Sequence, residues 1–266
     1  MWLDGSYVAP MRVIPGGIRG QTHLAQIRLG TELVTAYVKA FEASRGRWLF
    51  NEVAGGLLAR RAGIGAPAGG LIWVPLAVLQ MLFPDKVFAH HNAMTPCFAS
   101  APISQGPGLA AVGLGETTGN VLEEIRKFLS AWPGLGACVA FDEWVGNTDR
   151  HANNVLLAAG GRLVPIDHSD CFGGPEALDD FSCAQSWYQN TLLESVLDPD
   201  QLPLPTKAAL IHAAERLVNC HRESVADIES LRPWLGDALG LHWAEWLQIR
   251  AANTAQWLRE RVRMLV

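Results

Sequence analysis

A polar stretch at residues 146–154, with the sequence GNTDRHANN, lies between an apolar helix-like segment and a short strand-like segment. Gly160-Gly161 predicts a two-residue hairpin turn after that strand, and the returning strand runs into Asp167. Pairing across such a turn places Asn154 opposite Asp167, with Asp149 on the loop just before them. We therefore expect three side chains to converge, and two carboxylates with an amide oxygen suit a hard cation such as Mg²⁺.

Phosphoryl transfer requires this set of groups. Asp149 would orient or deprotonate an acceptor hydroxyl, while Asn154 and Asp167 would hold a metal that bridges nucleotide phosphates. The D-x-x-x-x-N spacing is that of the protein-kinase catalytic loop. The competing interpretation is an Asn- and Asp-rich turn that caps its own backbone. That alternative leaves the apolar hairpin between the two polar ends unexplained.

A kinase also needs a strand lysine and a helix glutamate that holds it. Lys39 is one of only four lysines and lies in an alternating strand pattern at residues 33–41. Glu52 opens a predicted helix at residues 51–61, with small residues three, four and seven positions later on its own face. A solvated strand face for Lys39, and an acidic complement to the helix N-terminus for Glu52, are the alternatives.

A glycine-rich segment at residues 15–23 joins two further strand candidates. Its backbone N–H groups, including those of Gly17, Gly20 and Gln21, would cover phosphates in the same site. The segment does not follow the G-x-G-x-x-G pattern, so a simple hairpin loop is the alternative.

Composition limits the function classes. The chain has 266 residues, 49% of them apolar, which excludes wholesale disorder. With 21 basic and 26 acidic residues its net charge is −5, so we expect no direct contact with nucleic acid. Five cysteines without a C-x-x-C pair argue against a disulfide framework or a zinc ribbon, and favour a reduced, cytoplasmic setting.

Two other features of the sequence indicate neither a membrane span nor a zinc site. Residues 62–83 carry no charge and are long enough to span a bilayer, but their prolines and glycines favour two buried strands, so we expect no membrane span. The pair His90-His91, and His168 with Cys171, match no standard zinc spacing.

The predicted fold class is α+β, a bilobal protein-kinase-like fold. Short strands dominate the first third, and a loop-like stretch at residues 99–119 marks the boundary. Helical patterns follow, up to a last helix at residues 243–265. We expect a small β-rich N-lobe at residues 1–105 and a larger, mainly helical C-lobe at residues 106–266.

The strand lysine, the helix glutamate, the D-R-H-x-x-N motif at residues 149–154 and the I-D-H motif at residues 166–168 together resemble the HipA-like kinases. The short form, which lacks an extra N-terminal partner-binding domain, is the nearest in pattern. D-R-H-x-x-N followed by Ile-Asp is also the signature of the phosphoinositide lipid kinases, distant relatives of the same fold. The resemblance covers most of the chain and is specific at residues 149–154 and 167.

By this resemblance, Asp149 would be the catalytic base, Asn154 and Asp167 would bind Mg²⁺, Lys39 would bind the ATP phosphates, and His151 would assist at the transferring phosphate. The adenine would lie against residues 97–101, between the lobes. Two departures stand out. His168-Ser169 replaces the Phe-Gly of protein kinases, and the glycine loop has no serine for the autophosphorylation known in some HipA proteins.

We therefore expect a kinase that uses ATP and Mg²⁺ and phosphorylates a Ser or Thr hydroxyl of a protein. One alternative is a small-molecule or lipid kinase, although the chain has no polybasic run for anionic membranes. Another is a nucleotide-binding interaction module without transfer activity. The resemblance also implies a toxin restrained by a small antitoxin-like protein partner.

Overall fold

The computed structural model describes residues 5–15, 20–103, 121–174, 184–231 and 242–264. Gly17 and most of the expected boundary at residues 99–119 lie outside the described residues. The lobe bounds given above therefore stay a prediction.

The N-terminal region is a five-stranded closed barrel with the order β1-β2-β3-β5-β4. Its strands are β1 (Gly5–Ile14), β2 (Gln21–Leu29), β3 (Glu32–Ala40), β4 (Gly69–Pro75) and β5 (Met94–Ser100). Neighbouring strands are antiparallel, except that β1 and β4 meet in parallel at Ser6 and Trp73.

Alternation along β3 assigns its two faces. Ala36, Val38 and Ala40 are fully buried inside the barrel, and Ile27 of β2 packs with them. Because side chains alternate along a strand, Lys39 lies on the opposite face, away from the barrel interior. The sequence pattern predicted this strand to within one residue at either end.

Two predictions in this region are wrong. Within residues 62–83 the chain forms β4 and then a short helix (Leu76–Leu82) rather than two strands; Pro75 is both the last residue of the strand and the N-cap of the helix. The apolar pattern at residues 87–98 also predicts a strand, but β5 begins only at Met94. Val87 is 72% exposed, so its apolar character does not reflect burial in a sheet.

Helix α1 (Gly46–Arg61) lies between the barrel and the helices of the C-terminal part. It starts five residues earlier than predicted, and every residue from Leu49 to Ala59 is buried. Its apolar side chains join the large core of the C-terminal part, whereas the barrel interior forms a separate core. Contacts on all sides explain why its sequence lacks a polar face.

The C-terminal part is mainly helical, so the fold is mixed α+β as predicted. Its helices are α2 (Val121–Ser130), α3 (Leu135–Val145), α4 (Leu204–Glu229) and α5 (Trp243–Arg261), and its hairpin consists of β6 (Val155–Ala158) and β7 (Arg162–Pro165). Helix α3 packs against α4 and α5 and is buried from Cys138 onward. None of the described helices is both long and apolar enough to cross a membrane.

Candidate functional site

Lys39 makes two ion pairs that join distant parts of the chain. Its Nζ donates to Glu52 Oε2 at 3.0 Å and to Asp167 Oδ1 at 2.8 Å. Strand β3 supplies the lysine, α1 the glutamate and the segment after β7 the aspartate. The small residues after Glu52 do not face the sheet: Gly55 packs against His168 and Cys171.

The three charges lie close together and shift one another's pKa values; the Glu52 side chain is buried, whereas those of Lys39 and Asp167 are 15% and 33% exposed. Burial raises the pKa of Glu52 to about 7, even though the Lys39 ammonium opposes the shift. Burial would raise the pKa of Asp167 too, but Lys39 and the Ser169 hydroxyl, 2.7 Å away, hold it well below the usual range. The same carboxylates outweigh desolvation and raise the pKa of Lys39. Lys39 and Asp167 are therefore fully charged at neutral pH.

The hairpin has a different register from the predicted one. Ala158 pairs with Arg162, so the loop comprises three residues, and both glycines adopt positive φ. Asn154 consequently lies opposite Ile166, whose N–H donates to the Asn154 carbonyl at 2.9 Å. Asp167 follows one residue later with φ 59°, a left-handed conformation that aspartate tolerates better than most residues.

The loop before the hairpin is held by hydrogen bonds between its own residues. The Asp149 N–H donates to Asn147 Oδ1 at 3.1 Å, and Asn154 Nδ2 donates to the Asp149 carbonyl at 2.7 Å. His151 Nδ1 accepts the Asn153 N–H at 3.2 Å, and its Nε2 lies 3.9 Å from Asp149 Oδ2. The capping expected of an Asn- and Asp-rich turn is therefore present.

Sequence reasoning missed Arg150, which connects this loop to the hairpin. Its fully buried guanidinium pairs with Asp142 of α3 and donates to the carbonyls of Asn154, Ile166 and Asp167. The motif D-R-H was noted, but the position of Arg150 in a polar loop gives no signal that its side chain points into the core.

These residues line one cleft of about 720 Å³ between the barrel and the helical part. Of the predicted site residues, seven line it: Gly20, Lys39, Glu52, Asp149, His151, Asn154 and Asp167. Gln21 does not; it pairs with Ala40 in the sheet. Gly20 must be glycine here, since a Cβ would lie 2.8 Å from Lys39 Cγ.

The segment expected to contact adenine divides between two faces. Phe98, Ser100 and Ala101 line the cleft, whereas Cys97 and Ala99 are fully buried in the barrel core. The alternation of β5 explains the division.

Several further cleft residues had no assigned role in the sequence. Tyr37 precedes Lys39 by two positions, so strand alternation alone would have found it. Leu156 and Ile166 come from the hairpin, and Arg60 from the last turn of α1. In sequence, the position of Arg60 near the helix C-terminus indicates only a complement to the helix dipole.

The donor set suits Mg²⁺. The Asp167 carboxylate is ionised, and the hydrogen bond from Asn154 Nδ2 leaves the oxygen of the same amide for a cation. Within the described residues, no group of three or more His, Cys, Asp or Glu side chains is arranged to hold a metal. Two protein ligands would leave the remaining positions to phosphate oxygens and water, as Mg²⁺ sites with nucleotides generally do.

Comparisons with known proteins agree with this geometry. A sequence model of the phosphatidylinositol 3- and 4-kinase family matches residues 136–220, which include the loop and the hairpin. A solved structure, the Helicobacter pylori proinflammatory kinase CtkA, is similar in fold with a TM-score of 0.55 and 13% identity, over 96% of this chain and 97% of that one. No curated protein sequence matches the chain. The fold is kinase-like.

Proposed function

We propose that the chain is an ATP- and Mg²⁺-dependent phosphotransferase of the HipA-like kind that phosphorylates a Ser or Thr hydroxyl of a protein. The observation that carries the proposal is the cluster of Lys39, Glu52 and Asp167 in one cleft with Asp149 and Asn154. A strand lysine held by a helix glutamate, facing a carboxylate and an Asp/Asn loop, is the arrangement that phosphoryl transfer uses.

The nucleotide would lie along the cleft with its phosphates at Lys39. The ammonium, held in place by Glu52, would neutralise phosphate oxygens, and the close approach of Gly20 to Lys39 brings backbone over the same point. The base would lie between Tyr37 above and the apolar side chains of Leu156 and Ile166 below.

Asp149 would act on the acceptor. In the transfer step the acceptor oxygen bonds to the γ-phosphorus, and the bond to the β–γ bridging oxygen breaks to leave ADP. The acceptor proton passes to the Asp149 carboxylate, and His151 beside it would stabilise charge on the transferring group. Most of the rate gain would come from positioning and charge neutralisation.

Asn154 and Asp167 would hold Mg²⁺, which when bound neutralises charge on the bridged phosphates. Lys39 competes for the same Asp167 carboxylate in the structure. Phosphate oxygens of a bound nucleotide would accept hydrogen bonds from the Lys39 ammonium. This would free an Asp167 carboxylate oxygen to bind the cation.

The acceptor has two candidates. The fold and the resemblance to HipA-like kinases support a protein hydroxyl, with an antitoxin-like partner as a further expectation. The match of residues 136–220 to the phosphatidylinositol 3- and 4-kinase model favours a lipid hydroxyl as the second candidate. A small-molecule acceptor and a nucleotide-binding module without transfer are the remaining alternatives.

The test is transfer of labelled γ-phosphate from ATP with Mg²⁺, offered separately to cell lysate and to phosphoinositide vesicles. We expect label on a protein, and a fall of about 10²- to 10⁴-fold for Asp149→Ala with ATP binding retained. Asp167→Ala should lose transfer and the Mg²⁺ dependence of binding. Asp85→Ala, an exposed carboxylate outside the cleft, is the matched control.

Each other result identifies an alternative. Label on vesicles alone would move the assignment to a lipid kinase. ATP binding without transfer to any acceptor would indicate the binding module, and absence of ATP binding would refute the proposed function.

A further inference from the structure

Arg60 places an uncompensated cation in the wall of the cleft. Its NH1 donates to the Pro67 carbonyl at 3.0 Å, and the structure gives it no carboxylate partner among the described residues. A guanidinium has five N–H donors, so most of its capacity is unused. Burial without a counter-charge also lowers the pKa of Arg60.

The wall around Arg60 is open. Glu52, Gly56 and Arg60 recur every four residues on one face of α1, so all three face the cleft. A Cβ built on Gly56 would meet nothing closer than Arg60 NH1 at 3.8 Å. Ser100, a small side chain, lines the cleft where β5 ends. No bulky side chain of α1 therefore separates Arg60 from a ligand in the cleft.

The end of β5, which also lines the cleft, offers few backbone N–H donors to a ligand. The Ala101 N–H already donates to the Ala68 carbonyl at 2.8 Å, and Pro102 has no N–H. Among the described residues after β5, only Ile103 retains an N–H for a ligand. Among the described residues, the guanidinium of Arg60 therefore offers the largest group of N–H donors at this end of the cleft.

We propose that Arg60 reads the nucleotide base, and that it favours a purine with hydrogen-bond acceptors at O6 and N7. The inference rests on the proposed function, because it assumes a nucleotide under Tyr37. Guanine and hypoxanthine carry both acceptors, whereas adenine presents an amino donor in place of O6. A guanidinium pairs with O6 and N7 together, and it repels the amino group. GTP and ITP therefore serve as phosphoryl donors alongside ATP.

The test measures displacement of a fluorescent ATP analogue from the full chain by ATP, GTP and ITP. We expect GTP and ITP to bind at least as tightly as ATP. Arg60→Met should weaken GTP and ITP roughly tenfold and ATP much less. ITP lacks the 2-amino group of GTP, so equal behaviour of the two assigns the effect to O6 and N7.

Arg61→Met is the matched control. Arg61 is the neighbour of Arg60 on α1 but pairs with Asp227 outside the cleft, so its loss should leave all three affinities unchanged.

Two results would overturn the inference while leaving the proposed function intact. One is a lower affinity for GTP and ITP than for ATP in the wild type. The other is equal weakening of all three nucleotides by Arg60→Met. If that variant fails to fold, the wild-type comparison of ITP with ATP decides alone. Failure of every nucleotide to bind would refute the proposed function as well.

Discussion

Arg150 and Asp142 form an ion pair in which both side chains are fully buried, with Nε 3.2 Å from Oδ2. Asn147 adds a hydrogen bond to the same carboxylate at 3.0 Å. The pair holds residues 149–154 against α3, and the same guanidinium donates to the Asp167 carbonyl. Burial lowers the pKa of Arg150, but the Asp142 carboxylate outweighs burial, and the net shift raises the pKa.

Breaking this pair should cost stability and activity together. Arg150→Met leaves the Asp142 charge buried without its partner, and we expect a loss of about 3–5 kcal/mol in the free energy of unfolding. Urea denaturation measures it. The double variant Asp142→Leu/Arg150→Met should recover part of the loss, because it removes the orphaned charge. A single variant with wild-type stability would contradict the role assigned here.

Adjacent glycines on α1 should respond differently to alanine. A Cβ at Gly55 would lie 2.6 Å from His168 Cβ and 2.9 Å from Cys171 Sγ. Gly55→Ala should therefore destabilise the protein by about 1–3 kcal/mol and displace the segment that carries Asp167.

Gly56→Ala is the matched control for that prediction. Its new methyl group meets only Arg60 at ordinary contact distance, and alanine is the better helix former. We expect it to leave the free energy of unfolding unchanged or to raise it by up to about 1 kcal/mol. Equal loss in both variants, measured by thermal or urea unfolding, would contradict the tight packing inferred at Gly55.

Glu52 should give stability a pH dependence. Its folded pKa of about 7 lies above the ordinary value of 4.5, so the folded state binds the proton more tightly. This proton binding stabilises the folded state fully below pH 4.5, and the stabilisation is lost as the pH rises through about 7. Relative to Glu52→Gln, the wild type should lose roughly 3 kcal/mol of unfolding free energy over that range.

Urea denaturation at several pH values measures this difference. Glu32→Gln, at the exposed start of β3, is the control and should follow the wild-type profile. Parallel profiles for wild type and Glu52→Gln would show that the Glu52 pKa is not raised.

Tyr37 should stabilise the bound nucleotide by stacking. Tyr37→Ala is expected to weaken nucleotide binding by about 1 kcal/mol or more, roughly fivefold, while Tyr37→Phe retains the ring and the affinity. Leu33→Ala tests the same strand face outside the cleft, since Leu33 is 54% exposed and does not line it. Titration with a fluorescent nucleotide measures the affinities, and equal effects at both positions would rule out stacking.

Local patterns in the sequence predicted two of the elements around the cleft. Alternation identified β3 and the face of Lys39, and the apolar helix, predicted at residues 137–145, was found within two residues. Both depend on short-range rules of strand and helix geometry, which the order of residues contains directly. The hairpin after the polar loop was predicted as well, although its three-residue turn changed the register, and Asp149, Asn154 and Asp167 line one cleft.

Tertiary structure alone decided the rest. Strand β3, helix α1 and the segment after β7 meet at Lys39, and Asp167 is 128 positions away in sequence. Arg150 and Arg60 illustrate what local patterns do not predict. Arg150 lies in a polar loop and Arg60 at a helix end, yet Arg150 is fully buried and Arg60 lines the cleft. The environment of a charged side chain depends on which distant elements pack around it, and no local spacing encodes that.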